Sequence, residues 1–428
     1  MTLLLLLPII IFLLHNLFYK PLTSPLSSLP GPFYTKFTSL VLKYHELRAK
    51  RTRWIHALHL RYGPVVRIAP NEVSFASREG VKEIYGSGGS GFDKSGWYDL
   101  FKIYGRRTMF TFLKKDDVNR YANSNVMRQP SLSGIVERAD RVVKRCAESL
   151  GGSLDLYIYR QLSYYSPTLH KAISKILYIC GVKPRETPLA DKFILDTAAK
   201  TDAAPFTLLN RLHSIDQLDI AAEILDHMVA GIDTTGDALC FLMWELSQPR
   251  SHHIQTKLRE ELLSQASSDI NFDKLPYLDA VVMEGLRCFP AIPMSLPRIV
   301  PRGGKTIDGY FLPEGTTASC QAYSMHRIDL EAWGPDPDTF RPERWFEQKG
   351  DAERRRLFFA FANGARGCVG KHLALAEMKL LLREVYSKFE TVPDETMTEE
   401  DMKMDDQLIS TRPAGLKCLL KFEPIGGQ

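Results

Sequence analysis

One cysteine lies in a glycine-rich stretch near the carboxyl end of the chain, in the residues Phe361 to Gly370, FANGARGCVG. Apolar residues repeat at helical spacing directly after it, so Cys368 is predicted to sit at the N-terminus of a helix. The unpaired N–H groups and dipole of a helix N-terminus lower the pKa of a thiol. A thiolate without a neighbouring Cys or His ligand suits an iron already held by a porphyrin better than it suits zinc.

A second chemical feature lies inside the longest helix that the sequence predicts, from about 217 to 247. Gly231 is near its centre, and glycine in a helix interior costs roughly 1 kcal/mol relative to alanine. That position therefore favours a flat group lying against the backbone. Asp233 and Thr234 follow in the same turn, where a carboxyl and a hydroxyl group could relay protons. A solvent-facing polar notch is the alternative interpretation of the same residues.

A shorter helix is predicted from Tyr277 to Cys288, with Glu284 and Arg287 three residues apart on one face. An isolated pair of this kind is usually a surface ion pair that contributes about 0.2 to 0.5 kcal/mol and has no function.

The cysteine stretch matches the order F-x-x-G-x-R-x-C-x-G at every fixed position, and in this it resembles the haem-ligand signature of the cytochrome P-450 family. The resemblance implies that Cys368 is the iron ligand, that Arg366 pairs with a haem propionate and that Phe361 shields the sulfur from water. Gly364 and Gly370 leave room for a bend and for the haem edge. A buried structural cysteine in a glycine-rich turn is the alternative, which five matched identities make a poor explanation.

The long helix is similar to the oxygen-activation site of the same family. The resemblance implies that Gly231 lies against the haem and that Asp233 and Thr234 deliver protons to bound dioxygen.

Two further motifs extend the resemblance. The stretch Phe340 to Trp345, FRPERW, is similar to a companion motif of the E-x-x-R pair. Arg344 would then join Glu284 and Arg287 in a buried charged network that locks the core around the haem. Arg298 resembles the second arginine that binds a propionate.

The middle of the chain departs from the family pattern. A helix near Asp117 to Arg128 should carry another propionate contact, but neither Arg120 nor Arg128 can be assigned to it. The segment that precedes the long helix is shorter than the family requires. The seam, the point at which residues of the family pattern are missing, is assigned to Ser153 to Arg160. The expected fold is therefore mainly α-helical with small β-sheets, the cytochrome P-450 fold shortened between about 130 and 215.

Composition excludes several other classes of protein. The chain has 428 residues and a formal charge of +5, too mild for a nucleic-acid binder or a polybasic membrane surface. Its seven cysteines include no C-x-x-C pair, which is typical of a reducing compartment. Residues 86 to 91 match G-x-G-x-x-G, but a helical pattern precedes them where a dinucleotide site needs a strand.

The N-terminus predicts a membrane anchor. Residues 3 to 14 carry no polar side chain, although about 20 apolar residues are needed to span a bilayer. We divide the chain into an anchor at 1–20, a proline-rich hinge at 21–32 and a haem-thiolate catalytic domain at 33–428. The arrangement resembles the endoplasmic-reticulum form of the family, with the catalytic domain on the cytosolic side.

The resemblance implies a monooxygenase that uses haem b to insert one oxygen atom of dioxygen into a lipophilic small molecule of secondary metabolism. Only 58 residues follow Gly370, too few for a flavin or nicotinamide domain. Electrons would therefore come from NADPH through a separate flavoprotein reductase. Two alternatives stay open, a haem-thiolate isomerase or dehydratase and a non-catalytic product of a truncated gene.

Apolar residues are expected to line the substrate pocket, while the basic run Arg354 to Arg356 is expected to be solvated. The expected lining residues are Met228, Val229, Ile292, Met294, Leu296, Leu408 and Ile409.

Overall fold

The computed structural model describes residues 15–86, 91–114, 161, 163–179, 188–204, 207–212, 215–264 and 275–425. The chain divides into two compact units. The first joins Met1–Phe92 to Thr234–Gln428, and the second is Asp93–Asp233. The division falls within Gln217–Leu246, the longest helix among the described residues.

Helices form most of the described structure, as expected from the apolar repeats of 3.6-residue period. Those of the first unit are Lys20–Thr23, Leu40–Leu47, Arg51–Tyr62, Arg78–Tyr85, His252–Ser264, Pro276–Cys288, Ala322–Met325, Leu330–Trp333, Asp351–Leu357 and Lys371–Tyr386. Those of the second unit are Pro167–Ile179, Pro188–Ala198 and Leu208–Leu212. Short 3-10 turns occur at Pro25–Ser28, Phe33–Lys36, Gly96–Phe101, Pro249–Ser251, Pro342–Phe346 and Gly364–Arg366, and a π-helix at His15–Tyr19.

The strands are short and mostly paired in hairpins. They are β1 (Val65–Ala69), β2 (Glu72–Phe75), β3 (Asp93–Lys94), β4 (Arg298–Ile299), β5 (Lys305–Ile307), β6 (Tyr310–Leu312), β7 (Thr317–Cys320), β8 (Phe389–Pro393), β9 (Met404–Gln407), β10 (Ser410–Pro413) and β11 (Leu420–Pro424). In the main sheet of the first unit the order is β1-β2-β7-β4. The pair β2 and β7 is parallel, and the antiparallel pair β4 and β7 places Arg298 opposite Ala318. The fold is mainly α-helical with small sheets, as predicted.

Two large apolar clusters form the core of the first unit. One packs the main sheet against Trp333, Phe359 and Tyr85. The other packs Thr234–Leu246, the carboxyl half of the long helix, against Pro276–Cys288 and Lys371–Tyr386 through residues such as Leu242. The second unit has its own smaller cluster around Ile194 and Ile220.

Arg354 corrects one prediction from the sequence. Its side chain is 2% exposed, whereas those of Arg355 and Arg356 are 66% and 72% exposed. The Arg354 guanidinium donates hydrogen bonds to the backbone carbonyls of Lys349, Ala332 and Glu347, at 2.8 Å for Lys349 and 3.3 Å for Ala332. The expectation of a solvated basic run was therefore wrong for Arg354, because the turn before the helix supplies acceptors for its donors.

The predicted anchor residues 3–14 lie outside the described part of the chain, as do the segment 117–128 and the seam at 153–160. Within the described ranges, no helix is both long enough and apolar enough to cross a bilayer. In the predicted hinge, Leu26 and Leu29 are 2% and 4% exposed. Arg67 donates to the carbonyls of Pro30 (backbone N–H, 2.8 Å) and Leu26 (guanidinium, 3.0 Å), so this part of the hinge packs on β1.

Candidate haem site

The cysteine loop is closed by its own backbone. The N–H of Cys368 donates to the carbonyl of Phe361 at 2.9 Å, and the N–H of Ala362 donates to the carbonyl of Phe359 at 3.0 Å. Between these contacts, the N–H of Gly367 donates to the carbonyl of Gly364 at 3.0 Å. The loop therefore holds a defined shape before the helix Lys371–Tyr386 begins.

Gly364 is needed for that shape. Its φ is +69°, in the left-handed region, and a Cβ atom there would stand 2.0 Å from the backbone oxygen of Tyr85. Both the backbone angle and the lack of space exclude a side chain at this position.

The sulfur of Cys368 lies at the N-terminus of the following helix, as predicted. The backbone N–H groups of Gly370 and Lys371 donate hydrogen bonds to it. Although Cys368 is exposed as a residue, desolvation by the surrounding protein raises the pKa of its thiol above the usual value, and the two N–H groups only partly offset that rise. The expectation of a lowered pKa was therefore wrong for the protein alone, because desolvation outweighs the helix N-terminus.

Phe361 is partly buried and packs into the helical core cluster behind the loop. Its ring centroid lies 6.5 Å from that of Phe358, and the Lys371 ammonium lies 5.9 Å from the centroid of Phe361. On the outer side of the loop, Val369 is 52% exposed.

The two arginines expected at the propionates are held in different ways. Arg366 is half-buried in the turn Gly364–Arg366. Arg298 is 3% exposed on β4, with its guanidinium 5.2 Å from the ring centroid of Tyr85. Because Tyr85 also abuts Gly364, one tyrosine contacts both the cysteine loop and the strand that carries Arg298.

Glu284, Arg287 and Arg344 lie together in the core of the first unit, and all three side chains are fully buried. Glu284 accepts two hydrogen bonds from the Arg287 guanidinium, at 2.8 and 2.9 Å, and one from Arg344 Nε at 3.2 Å. The backbone N–H of Arg341 and the indole N–H of Trp345 donate to the same carboxylate, at 2.9 and 3.0 Å. Burial opposes the charge, but the two guanidinium groups outweigh it and lower the pKa of Glu284.

The long helix carries the remaining predicted residues. Asp233 and Thr234 are consecutive and half-buried. Gly231 is exposed, and no atom of the described residues lies within 4 Å of the place where its Cβ would stand. Packing within the protein therefore does not require glycine there, whereas a flat ligand against the helix would.

The residues of the cysteine loop fit a haem group. The cysteine loop of the first unit offers a soft sulfur donor on the exposed residue Cys368, an exposed apolar side chain at Val369 and a basic residue at Arg366. No second Cys or His is needed for such a ligand set, in contrast to zinc.

Residues to which the sequence analysis assigned no role also contribute. Tyr85 is one, and His326 is another, because its imidazole is fully buried between Arg287 and Phe359. The sequence offers only a weak signal for His326, a lone histidine directly before Arg327.

Comparison with known proteins gives consistent results. A family model described as Cytochrome P450 matches residues 168–420, more than half of the chain. The chain is 26% identical to cytochrome P450 monooxygenase orf2 of Aspergillus niger, with 95% of each protein covered. It is 27% identical to monooxygenase stcB of Emericella nidulans (93% of this chain, 88% of the relative) and 28% identical to monooxygenase tazI of Aspergillus terreus (94% and 95%).

The alignment with the Aspergillus niger protein runs over 473 residues, more than the 428 of the whole chain. That relative therefore carries residues without a counterpart here, which agrees with the predicted shortening. With a thiol-bearing loop that fits a haem ligand and with relatives of this kind along nearly its full length, the chain belongs to the cytochrome P450 family of haem monooxygenases.

Proposed function

We propose that this chain is a haem-thiolate monooxygenase that inserts one oxygen atom of dioxygen into a lipophilic small molecule of secondary metabolism. The observation that carries the proposal is the cysteine loop, where the exposed residue Cys368 lies just before a helix N-terminus and its backbone N–H donates to the Phe361 carbonyl. When bound, haem b supplies the activation of dioxygen.

Cys368 binds the iron in this proposal. The N–H groups of Gly370 and Lys371 hold its sulfur in place and accommodate negative charge on it. Phe361, packed behind the loop, limits the approach of water from the side of the core.

Arg298 and Arg366 would bind the haem propionates. A guanidinium group makes paired hydrogen bonds to a carboxylate, and burial strengthens them. Arg298 is already held by the sheet and by the ring of Tyr85, so it loses little freedom when it binds.

Asp233 and Thr234 would hold and pass protons, because a carboxyl and a hydroxyl group in one helical turn can exchange them with water. Gly231, one turn earlier, would leave room for the haem face. These roles are carried over from the family pattern.

Electrons would come from NADPH through a separate flavoprotein reductase. The N-terminal residues 1–20 would anchor the protein in the endoplasmic reticulum membrane, with the catalytic domain on the cytosolic side. Their apolar composition supports this part of the proposal.

The proposed lipophilic substrate is supported by the two apolar segments that adjoin in the first unit. Ile292 and Ile409 pack against the same core cluster, and the N–H of Thr411 donates to the carbonyl of Ala291 at 3.0 Å. Met294, which was also expected to line the pocket, is fully buried.

The test is the carbon monoxide difference spectrum of the dithionite-reduced protein, for the wild type, Cys368→Ser and Cys240→Ser. We expect a strongly red-shifted Soret band in the wild type and in Cys240→Ser, and its loss in Cys368→Ser. A red-shifted band that survives in Cys368→Ser would refute the ligand assignment.

Turnover then separates the alternatives. Product formation that requires NADPH, reductase and dioxygen supports a monooxygenase, whereas conversion of an oxygenated substrate without them would indicate an isomerase or dehydratase. Failure of the wild type to bind haem would favour the non-catalytic product of a truncated gene.

A further inference from the structure

His326 lies between the charged network and the cysteine loop, and its imidazole is fully buried. Its Nε2 accepts a hydrogen bond from the backbone N–H of Phe359 at 2.8 Å, and its Nδ1 lies 3.0 Å from the carbonyl oxygen of Arg287. A backbone N–H can only donate, so Nε2 carries no proton and Nδ1 donates to Arg287. The ring is therefore neutral, with a single assigned tautomer.

Each neighbour of the ring belongs to a different part of the site. On one side, Arg287 is the residue whose guanidinium binds Glu284. On the other, Phe359 begins the hydrogen-bonded turn that leads to Cys368, through its carbonyl to Ala362. The imidazole thus joins two segments that no local sequence pattern connects.

Aromatic side chains fix the plane of the ring. His326 stacks on Phe358 with 5.4 Å between centroids and an angle of 10°, and Trp333 meets it edge-on at 5.7 Å. Burial lowers the pKa of His326 well below its usual value, with Arg287 adding to the effect, so the imidazole stays neutral over the physiological range. Protonation of the ring therefore does not disrupt either hydrogen bond in that range.

We propose that His326 is a positioning residue that transmits the geometry of the Glu284–Arg287 network to the cysteine loop through the N–H of Phe359. It does not touch the reacting atoms, and this inference rests on the proposed role of Cys368. Without an acceptor for the Phe359 N–H, the start of the cysteine loop is no longer held in place. The position of the Cys368 sulfur is then no longer fixed.

Three substitutions separate this role from simple packing. His326→Gln places an amide oxygen near the position of Nε2 and keeps an acceptor for Phe359. His326→Asn places an amide nitrogen near the position of Nδ1 and keeps only the contact with Arg287. His326→Phe keeps the stacking on Phe358 and loses both hydrogen bonds.

The measurements are the carbon monoxide difference spectrum and the amide hydrogen exchange of residues 358–368, both on full-length haem-loaded protein, with urea unfolding as a third measurement. We expect the ratio of red-shifted to unshifted Soret band to fall about tenfold in the Asn and Phe variants, since a buried donor without a partner is unfavourable. The Gln variant should stay within about twofold of the wild type. Exchange in 358–368 should rise in Asn and Phe and not in Gln.

Equal spectra for the Asn and Gln variants would overturn the proposal, and so would spectral losses that simply follow the unfolding midpoints. A wild type without the red-shifted band would refute the proposed function, and this inference with it. A wild-type band that persists unchanged in His326→Asn refutes the inference alone.

Discussion

Tyr85 contributes to the site through its hydroxyl group, its ring and its backbone. Its hydroxyl donates to the carbonyl of Leu296 at 2.5 Å and accepts from the N–H of Cys320 at 2.9 Å. Its ring lies against Arg298, and its carbonyl fills the space that a side chain on Gly364 would occupy. A single residue thus sets the distance between the sheet and the cysteine loop.

Gly364→Ala should therefore weaken haem ligation by more than the strain of an alanine in a left-handed backbone conformation would by itself. The added Cβ would stand 2.0 Å from the Tyr85 oxygen, so the loop must move. We expect a loss of the red-shifted Soret band together with a lower unfolding midpoint in urea.

Gly309→Ala is the matched control. Its φ is +78°, but no atom of the described residues lies within 4 Å of its Cβ position. It should show only the strain of the left-handed backbone, about 1 to 2 kcal/mol, with the Soret band retained. Equal behaviour of the two variants would show that the contact with Tyr85 is unimportant.

Between elements, Gly285, beside Glu284, lies where two helices of the core approach each other closely. A Cβ on Gly285 would lie 2.8 Å from Leu242 Cδ1, across the contact between the helices Pro276–Cys288 and Gln217–Leu246. The small residue lets the helix that carries the charged network pack closely on the carboxyl half of the long helix.

This contact predicts non-additive stability. Gly285→Ala should destabilise through overpacking, typically by about 1 to 3 kcal/mol, and Leu242→Ala through a cavity, by about 2 to 5 kcal/mol. In the double variant the added methyl fills part of the space left by Leu242, so the total loss measured in urea should be smaller than the sum.

Gly236→Ala provides the control, because it adds a methyl in the same long helix where no described atom lies within 4 Å. It should raise the free energy of unfolding by up to about 1 kcal/mol. Strict additivity of Gly285→Ala and Leu242→Ala would contradict the packing argument.

For the whole molecule, one buried acid links the two ends of the sequence. The carboxylate of Asp406, on β9, accepts a hydrogen bond from the N–H of Thr52 at 2.8 Å, across 354 positions. Burial, with a smaller contribution from Glu46, raises the pKa of Asp406 to about 7 against the opposing effects of Thr52 and Arg51. The guanidinium of Arg51 forms ion pairs with the carboxylates of Glu46, at 3.2 Å, and Glu72, at 2.6 Å.

The sign of the resulting pH dependence follows from linkage. An acid whose pKa is higher in the folded than in the unfolded state binds protons more tightly when folded, so stability falls as pH rises between the two values. For Asp406 that window runs from its ordinary 3.8 to about 7. Asp406→Asn cannot titrate and keeps an acceptor for Thr52.

We expect the difference in unfolding free energy, wild type minus Asp406→Asn, to decrease from pH 4 to pH 7 and to be flat above about pH 8. Each unit of pKa difference corresponds to about 1.4 kcal/mol. Urea unfolding at a series of pH values measures it. A difference that stays constant, or that grows with pH, would show that Asp406 is already ionised in the folded protein.

Local patterns in the sequence were sufficient for several features. Helical periodicity predicted the long helix, the shorter helix that ends at Cys288 and the helix after Cys368. These features depend on neighbours within a few residues, where periodicity and turn chemistry act directly.

Burial was the property that local patterns misjudged. Arg354 was expected in solvent and is buried, and Cys368 was expected to have a lowered pKa and has a raised one. Desolvation depends on every segment that covers a group, wherever that segment lies in the chain.

The sequence by itself determined the family and the helical character of the fold, and it pointed to Cys368 as the candidate sulfur ligand, because each depends on residues that are contiguous in the chain. Only the tertiary structure decided that Tyr85 meets Gly364, that His326 joins Arg287 to Phe359 and that Asp406 reaches Thr52. Such contacts join residues far apart in the chain. They form when apolar faces pack, and packing selects partners by shape and burial rather than by spacing in the sequence.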